Sequence, residues 1–383
     1  MGVYLDYNAS APIDLRVLEY MNSVYKDSYG NPDSRTHLYG DNAREIVESS
    51  REQVADLIGV NKDEIFFTSG ATEGNNIAIR GLVEYGLKKN KKHILISAIE
   101  HKAVIESAKS LMPLGFDVEF IYPNNDGMID AAEVSDKLRN DTLLVSVMHV
   151  NNETGIIQPV DKIGEILNQK GILFHIDATQ SFGKLVEEIR ALKYDIMTMS
   201  AHKISGPQGV GALILRRKKY RLPPVKAIMF GGEQEHGIRP GTVPVALVAG
   251  LGLSCELVQQ EYMANNQKML DLKNVVIKLL DSSDIDYRIN GKIENCISNT
   301  INVCLKGVSS EALMLSSKQF CGISNGSACN SHKYAPSYVL QAMGLTDEEI
   351  DNAIRISWGW NTDKEELIYN FSEMLKIAQS LVW

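Results

Sequence analysis

The sequence predicts an α/β fold built on a doubly wound, mostly parallel sheet, and three observations carry that prediction. Short apolar runs alternate with helix-spaced segments from Glu64 to Leu215, the pattern of strands joined by crossover helices. Several of those runs are apolar throughout, as strands covered on both faces require. Two of them end in polar clusters, one at Asp177 and one at Ser200-Ala-His202-Lys203, and in open α/β sheets the ends of the strands are where ligands bind. Past Val245 the alternation stops. A long helix from about Val245 to Leu280 leads into a second set of elements, which predicts a large α/β domain over residues 15–256 and a smaller α+β domain from residues 1–14 together with 257–383.

Each element follows from local pattern. Val3 to Asn8 alternates and reads as an N-terminal strand or arm before Pro12. Leu15, Leu18, Met21 and Val24 share one helical face, residues 31–37 are turn-rich, and 44–58 form an amphipathic helix stopped by Gly59. Glu64 to Thr68 is a strand, followed by Ser69-Gly70-Ala71-Thr72-Glu73-Gly74-Asn75. Small residues there let a ligand approach the backbone, and the helix that follows aims unpaired N–H groups and its positive dipole end at the turn, a cradle for a phosphate. The same turn also fits plain helix capping, and it lacks the Gly-Lys-Ser/Thr of a Walker loop. Strands at 93–96, 117–122 and 142–149 then alternate with helices at 102–111, 131–138 and 160–169.

Two further strand ends carry polar groups, Glu100-His101-Lys102 and Asn151-Asn152-Glu153-Thr154-Gly155. His101 suits either a ring-stacking proton donor or a helix cap. Residues 230–242 make a glycine-rich loop whose length points to function or an interface. The smaller domain reads as a strand at 300–305, a helix from Ser309, a loop around Cys329, a helix from Pro336, a strand at 353–357 and a terminal helix at 364–381.

Composition narrows the function. The 383 residues are 44% hydrophobic and carry a net charge of -9, which disfavours nucleic acid or an anionic membrane surface as direct partner. The longest apolar stretch, 243–253, is broken by Pro244, Gly250 and Gly252, too short to span a bilayer. No secretory pattern opens the chain. Five cysteines without C-x-x-C spacing, Cys255, Cys296, Cys304, Cys321 and Cys329, indicate neither a disulfide framework nor a zinc site, so a reducing, cytoplasmic setting and no metal are expected.

The strand-end residues suggest one chemistry. A carboxylate at Asp177 can hold a proton on a ring nitrogen, and an amine at Lys203 can condense with an aldehyde. Ser200 and His202 offer donors to a phosphate. Pyridoxal phosphate has all three groups. Taken singly, Asp177 also fits a solvated loop carboxylate and Lys203 a surface lysine.

The chain resembles the cysteine desulfurases, fold-type I pyridoxal-phosphate enzymes, through nine ordered blocks: Gly30 to His37, Thr68 to Glu73, Glu100-His101, Asn151 to Gly155, His175 to Gln180, Ser200 to Lys203, Arg239 to Thr242, Gly326 to Cys329 and Ile354 to Ser357. The resemblance implies that Lys203 bears the cofactor, Asp177 pairs with its ring nitrogen, Gln180 bonds its ring hydroxyl and His101 stacks on the ring as acid and base. It further implies a phosphate site from Ala71, Thr72, Ser200 and His202, with Thr242 arriving from the partner in a homodimer. Asn152, also counted in the cofactor site, and Arg355 would hold the substrate carboxylate. The implied reaction takes L-cysteine to L-alanine and leaves the sulfur on Cys329 for an acceptor protein serving iron–sulfur assembly, tRNA thiolation or DNA phosphorothioation. Gly326, Ser327, Ala328 and Asn330 around Cys329 have the composition of a mobile loop. Where the family commonly has Ser-x-Gly-Arg, this chain has Ser357-Trp358-Gly359-Trp360. Two alternatives stand beside this reading, a selenocysteine lyase-like enzyme and a non-catalytic sulfur-relay partner.

Overall fold

The computed structural model describes residues 2–326 and 336–382; Cys329 and the mobility expected of its loop lie outside the described residues. Twelve strands are β1 (Val3–Tyr4), β2 (Ile65–Thr68), β3 (His93–Ser97), β4 (Asp117–Ile121), β5 (Thr142–Ser146), β6 (Leu173–Asp177), β7 (Ile196–Ser200), β8 (Gly211–Leu215), β9 (Tyr287–Ile289), β10 (Thr300–Leu305), β11 (Cys321–Gly322) and β12 (Ala353–Ser357) among the described residues. Seven of them form the large sheet in the order β2-β8-β7-β6-β5-β3-β4. The pairs from β7 through β6, β5 and β3 to β4 are parallel, whereas β8 runs antiparallel to both β7 and β2. This reversal arises because the chain returns from β7 through the turn 201–210 without a crossover helix, and a hairpin-like return makes antiparallel neighbours.

Strand residues alternate between two apolar layers, as their period of two requires. Val145, Ile176 and Met197 pack with Val54, Leu167 and Leu251 on one face, while Leu144, Ile196 and Leu213 pack with Ile77, Val104 and Ala108 on the other. Burial on both faces explains why these runs read as continuously apolar. A third layer joins Val3 and Leu5 to β10, β12 and the terminal helix Lys364–Ser380. The helix Val245–Asp281 links the layers: Val248, Leu251 and Cys255 pack against the large sheet, and Met269, Leu272, Val276 and Leu280 against the smaller one.

Several boundaries differ from expectation. The N-terminal strand is reduced to Val3–Tyr4, which pairs in parallel with Cys321–Gly322. The second helix begins at Leu38, ahead of its apolar spacing, because His37 Nδ1 accepts from Gly40 N at 3.1 Å and caps it. Regular pairing of β5 ends at Ser146, although Val147 N and His149 N still donate to the carbonyls of His175 and Asp177 at 3.2 and 3.0 Å. Strand β9 and the helix Asp347–Asp351, started by a Thr346/Glu349 capping box, carried too few apolar positions to be seen in the sequence.

Candidate active site

Asp177 and Lys203 are brought together by neighbouring strands, β6 ending at Asp177 and β7 running straight into the turn that bears Lys203. Asp177 is buried; its Oδ2 accepts from Asn75 Nδ2 at 2.8 Å and its Oδ1 from Thr179 N at 2.9 Å. Asn75 is in turn oriented by Thr198, whose hydroxyl donates to Asn75 Oδ1 at 2.5 Å. One row of hydrogen bonds thus ties β7, the helix Ala71–Arg80 and β6. His175 lies beneath, with Nδ1 against Ser146 Oγ at 2.8 Å, and burial pulls its imidazole down to about 4.

Lys203 Nζ donates to the carbonyls of Asn8 and Ala9. Asn8 is a hub that sequence reasoning passed over as part of an arm. Its carbonyl also accepts from Gln180 Nε2 at 3.0 Å, its Nδ2 donates to Asn152 O at 3.2 Å, and its Oδ1 accepts from Thr300 at 3.1 Å. No periodic pattern marks such a residue, since its role depends on partners far along the chain.

His101 caps the helix Lys102–Lys109, its Nδ1 accepting from Ala103 N at 3.1 Å. Burial, outweighing the nearby Asp177 charge and joined by Lys203, lowers its pKa. Of the two roles foreseen for His101, the cap is the one observed; with Nδ1 accepting from Ala103 N, Nε2 is the nitrogen left to donate. Preceding it, Glu100 is fully buried; desolvation, and then Asp177, drive its carboxyl well above the usual range.

At the turn before the helix Ala71–Arg80, where the sequence leads one to expect a phosphate cradle, Gly70 takes φ 147°, a backbone that favours glycine, and a Cβ there would stand 3.4 Å from Ser200 Oγ. No side chain caps the helix at Gly70, which leaves the amides of Ala71 and Thr72 at its open end. Glu73 accepts from Ser69 N at 2.5 Å and from Arg239 Nε at 3.1 Å, so the loop carrying Thr242 is fastened to the cradle. That loop is anchored deeper by Glu235, which takes two bonds of 2.8 Å from Arg51 and a third of 2.8 Å from Phe67 N. The anchorage holds Glu235 and His236 at φ 50° and 54°, conformations that non-glycine residues pay for in strain. Thr242 itself is exposed. His202 Nδ1 lies 3.2 Å from Ser10 Oγ, and burial, then Lys203 and Lys184, pull its imidazole to about 4.

On the facing side, Arg355 is buried on β12, with Nη2 on Asp6 Oδ1 at 2.6 Å and Nη1 on Asn152 O at 3.0 Å. Three buried atoms here have no partner among the described residues: Arg355 Nε, Asn152 Oδ1 and Gln180 Oε1. Leaving such atoms unpaired is costly. Together with the open helix end at Gly70, they fit a polar ring compound carrying a phosphate and an amino-acid carboxylate beside it. No group of His, Cys, Asp and Glu among the described residues could hold a metal.

Residues 3–369 match the family model described as aminotransferase class V. Over 377 residues the chain is 42% identical to cysteine desulfurase IscS of Proteus mirabilis, covering 98% of this chain and 92% of that one. Among solved structures, a NifS-like protein superposes with a TM-score of 0.90 at 34% identity over the whole of both chains. A second structure, described as SspA in complex with cysteine, superposes with a TM-score of 0.81 at 35% identity over 93% of this chain and 98% of that one.

Proposed function

The chain belongs to the aminotransferase class-V family and is a pyridoxal-phosphate-dependent cysteine desulfurase, and we propose that Lys203, Asp177, His101, Arg355 and Cys329 carry its chemistry. The observation that carries this assignment is the convergence of Asp177 and Lys203 at adjacent strand ends, with His101 sensing the charge of both. Pyridoxal phosphate bound there supplies an aldehyde for the Lys203 amine and an electron sink for the substrate α-carbon. Asp177, oriented by Asn75 and Thr179, would face the ring nitrogen, and Gln180 Oε1 would meet the ring hydroxyl. The amides of Ala71 and Thr72, with Ser200 and His202, would hold the phosphate.

L-Cysteine would place its carboxylate at Arg355 and Asn152, the side chains with unpartnered buried atoms. Lys203 would take the α-proton and later return it, and His101 would exchange a proton with the substrate. A thiolate would attack the substrate sulfur: the sulfur–sulfur bond forms as the carbon–sulfur bond breaks, the electron pair of that bond stays with the substrate β-carbon, which takes up a proton, and the products are L-alanine and an enzyme persulfide. Four cysteines are poor candidates for that thiolate. Burial raises every one of them, Cys296 to about 11 and Cys321 to about 12, with Cys255 and Cys304 shifted the same way. This supports Cys329 as the sulfur-accepting nucleophile.

We read the enzyme as a cytoplasmic homodimer that passes its sulfur to an acceptor protein. Phe230, 92% exposed, precedes the loop 231–242, whose Gln234 donates to Asp33 at 2.7 Å, and an exposed aromatic there suits burial against a second copy that receives Thr242. No helix of the described residues is long and apolar enough to cross a membrane. The assignment is tested by borohydride reduction of the yellow protein followed by peptide mapping. The pyridoxyl group is expected on Lys203; its recovery on Lys102 overturns the site.

A further inference from the structure

Residues 327–335, which include Cys329, lie between two described ends, and both ends meet one side chain, that of Glu153. On the C-terminal side, Ser337 Oγ donates to Glu153 Oε2 at 2.5 Å. On the N-terminal side, Gly326 lies so close that a Cβ there would come within 2.8 Å of the same Oε2. Gly326 also takes φ 82°, so both the close approach and the backbone call for glycine.

Glu153 is buried and is itself held from two sides. Its N–H donates to Asn151 Oδ1 at 2.9 Å, and its carbonyl accepts from Asn302 Nδ2 on β10 at 3.1 Å. It directly follows Asn152, which with Arg355 is proposed to hold the substrate carboxylate. Arg355 shares the same support: its N–H donates to Ser324 O at 2.6 Å, Ser324 N donates back to Arg355 O at 3.2 Å, and Ser324 Oγ accepts from Gly326 N at 3.1 Å. At the other end Ser337 caps the helix Tyr338–Ala342, its Oγ accepting from Leu340 N at 3.1 Å, and Tyr338 donates its phenol to the Glu100 carbonyl at 2.6 Å. The proposed carboxylate-binding residues and both ends of the Cys329 segment are thus fixed to one frame.

Chain length makes the placement of Gly326 matter. Cys329 follows it by three residues, a reach of about 11 Å at most. A thiol on so short a tether can act only near the point where the tether is held.

We propose that Glu153 is a positioning residue for sulfur transfer: it ties the two ends of the segment 326–337 together and so sets where Cys329 meets the sulfur of a substrate held at Arg355 and Asn152. The tie needs an oxygen acceptor for Ser337 rather than a charge. Consistent with this, burial, opposed by Ser337, Arg355 and Lys102, raises the Glu153 carboxyl to about 7. The proposal rests on Cys329 as the sulfur acceptor.

The test separates substrate binding from sulfur transfer in the holoenzyme. Binding is read as the change in cofactor absorbance over a series of L-cysteine concentrations. Transfer is read as the rate at which a Cys329 persulfide, trapped by alkylation and mapped by peptide, appears in a single turnover. Glu153→Ala and Ser337→Ala should each slow transfer by about tenfold or more, the scale of a misplaced reacting group, while binding keeps the parent's concentration dependence. Because both act on one tie, the double variant should be no slower than the slower single variant. Glu153→Gln and Ser337→Thr, which keep the acceptor and the donor, should transfer near the parent rate. Parent-rate transfer in Glu153→Ala overturns the proposal, as do additive losses in the double variant or a Glu153→Gln as slow as Glu153→Ala. Equal losses of binding and transfer also overturn it, since they mark a merely structural role. If Glu153→Ala does not fold, Ser337→Ala against Ser337→Thr decides by the same measures. A parent persulfide mapped to another cysteine removes the Cys329 reading and this proposal with it, whereas unchanged transfer to Cys329 in the variants removes this proposal alone.

Discussion

Asn75 Nδ2 meets Asp177 Oδ2 at 2.8 Å, joining the helix Ala71–Arg80 to the end of β6. The two halves of the proposed cofactor site are therefore linked by one hydrogen bond between residues far apart in sequence. Asp177→Asn removes the negative charge and keeps the shape. The variant is expected to bind pyridoxal phosphate and remain yellow while alanine formation slows by about 10²-fold or more, the scale of losing one preorganised electrostatic partner. Alanine formation near the parent rate would remove Asp177 from the mechanism.

Glu153 shows what burial does to a carboxyl that has only partial compensation. Desolvation raises it to about 7 in spite of Ser337, whose hydroxyl donates at 2.5 Å, and of Arg355 and Lys102. The folded state then holds this proton more tightly than the unfolded chain, whose Glu titrates near its ordinary value of 4.5. Its stabilising contribution is full below that value and is lost as pH rises through 7, by about 3 kcal/mol at most. Glu153→Gln has no proton to lose. Urea unfolding at pH 5 and pH 8 should show the variant gaining on the parent by about 2 to 3 kcal/mol between the two, with every other carboxyl cancelling. An equal difference at both pH values would mean that Glu153 stays ionised.

The alternating body of the fold was legible because strands buried on both faces must be apolar throughout, as Leu144 and Val145 show by packing into opposite layers. Asp177 and Lys203 were legible for the same reason: a charged residue ending such a run stands out. Asn8, Lys184 and the Arg51–Glu235 pair were not. Asn8 acts through its backbone carbonyl, Lys184 lies in an aperiodic turn, and Arg51 finds its partner 184 residues away, so no local pattern records them. Direction within the sheet was also hidden, since β8 has the same apolar signature parallel or antiparallel.

Thr242 lies on a loop fastened to the rest of its own chain by Glu235 and Arg239 yet is itself exposed, as the role proposed for it in a partner's site requires. Mixing Lys203→Ala subunits with Thr242→Ala subunits tests whether sites are shared. With sharing, the hybrid has one site bearing both defects and one bearing neither, so activity reappears in the mixture. If each chain builds its own site, mixing two impaired proteins restores nothing.

Sulfur transfer requires a thiol that is ionised near neutral pH and that an acceptor can reach. Cys255, Cys304 and Cys321 are buried, and Cys296 donates to the carbonyls of Thr154 and Thr300 at 3.3 and 3.0 Å. All four have raised pKa values, so they are thiols under working conditions and poor nucleophiles. This supports Cys329, the remaining cysteine of the sequence, as the proposed sulfur acceptor. Cys329→Ser is expected to bind pyridoxal phosphate as the parent does and to shift its absorbance on adding L-cysteine, because neither step involves the thiol. Sulfide release with a reductant should fall to a few per cent or less of the parent. The decisive measurement is alkylation of the cysteine-loaded parent followed by peptide mapping. A persulfide on Cys329 fits the assignment, whereas one on Cys321, or a Cys329→Ser variant that releases sulfide at the parent rate, would require a nucleophile that burial has not suppressed.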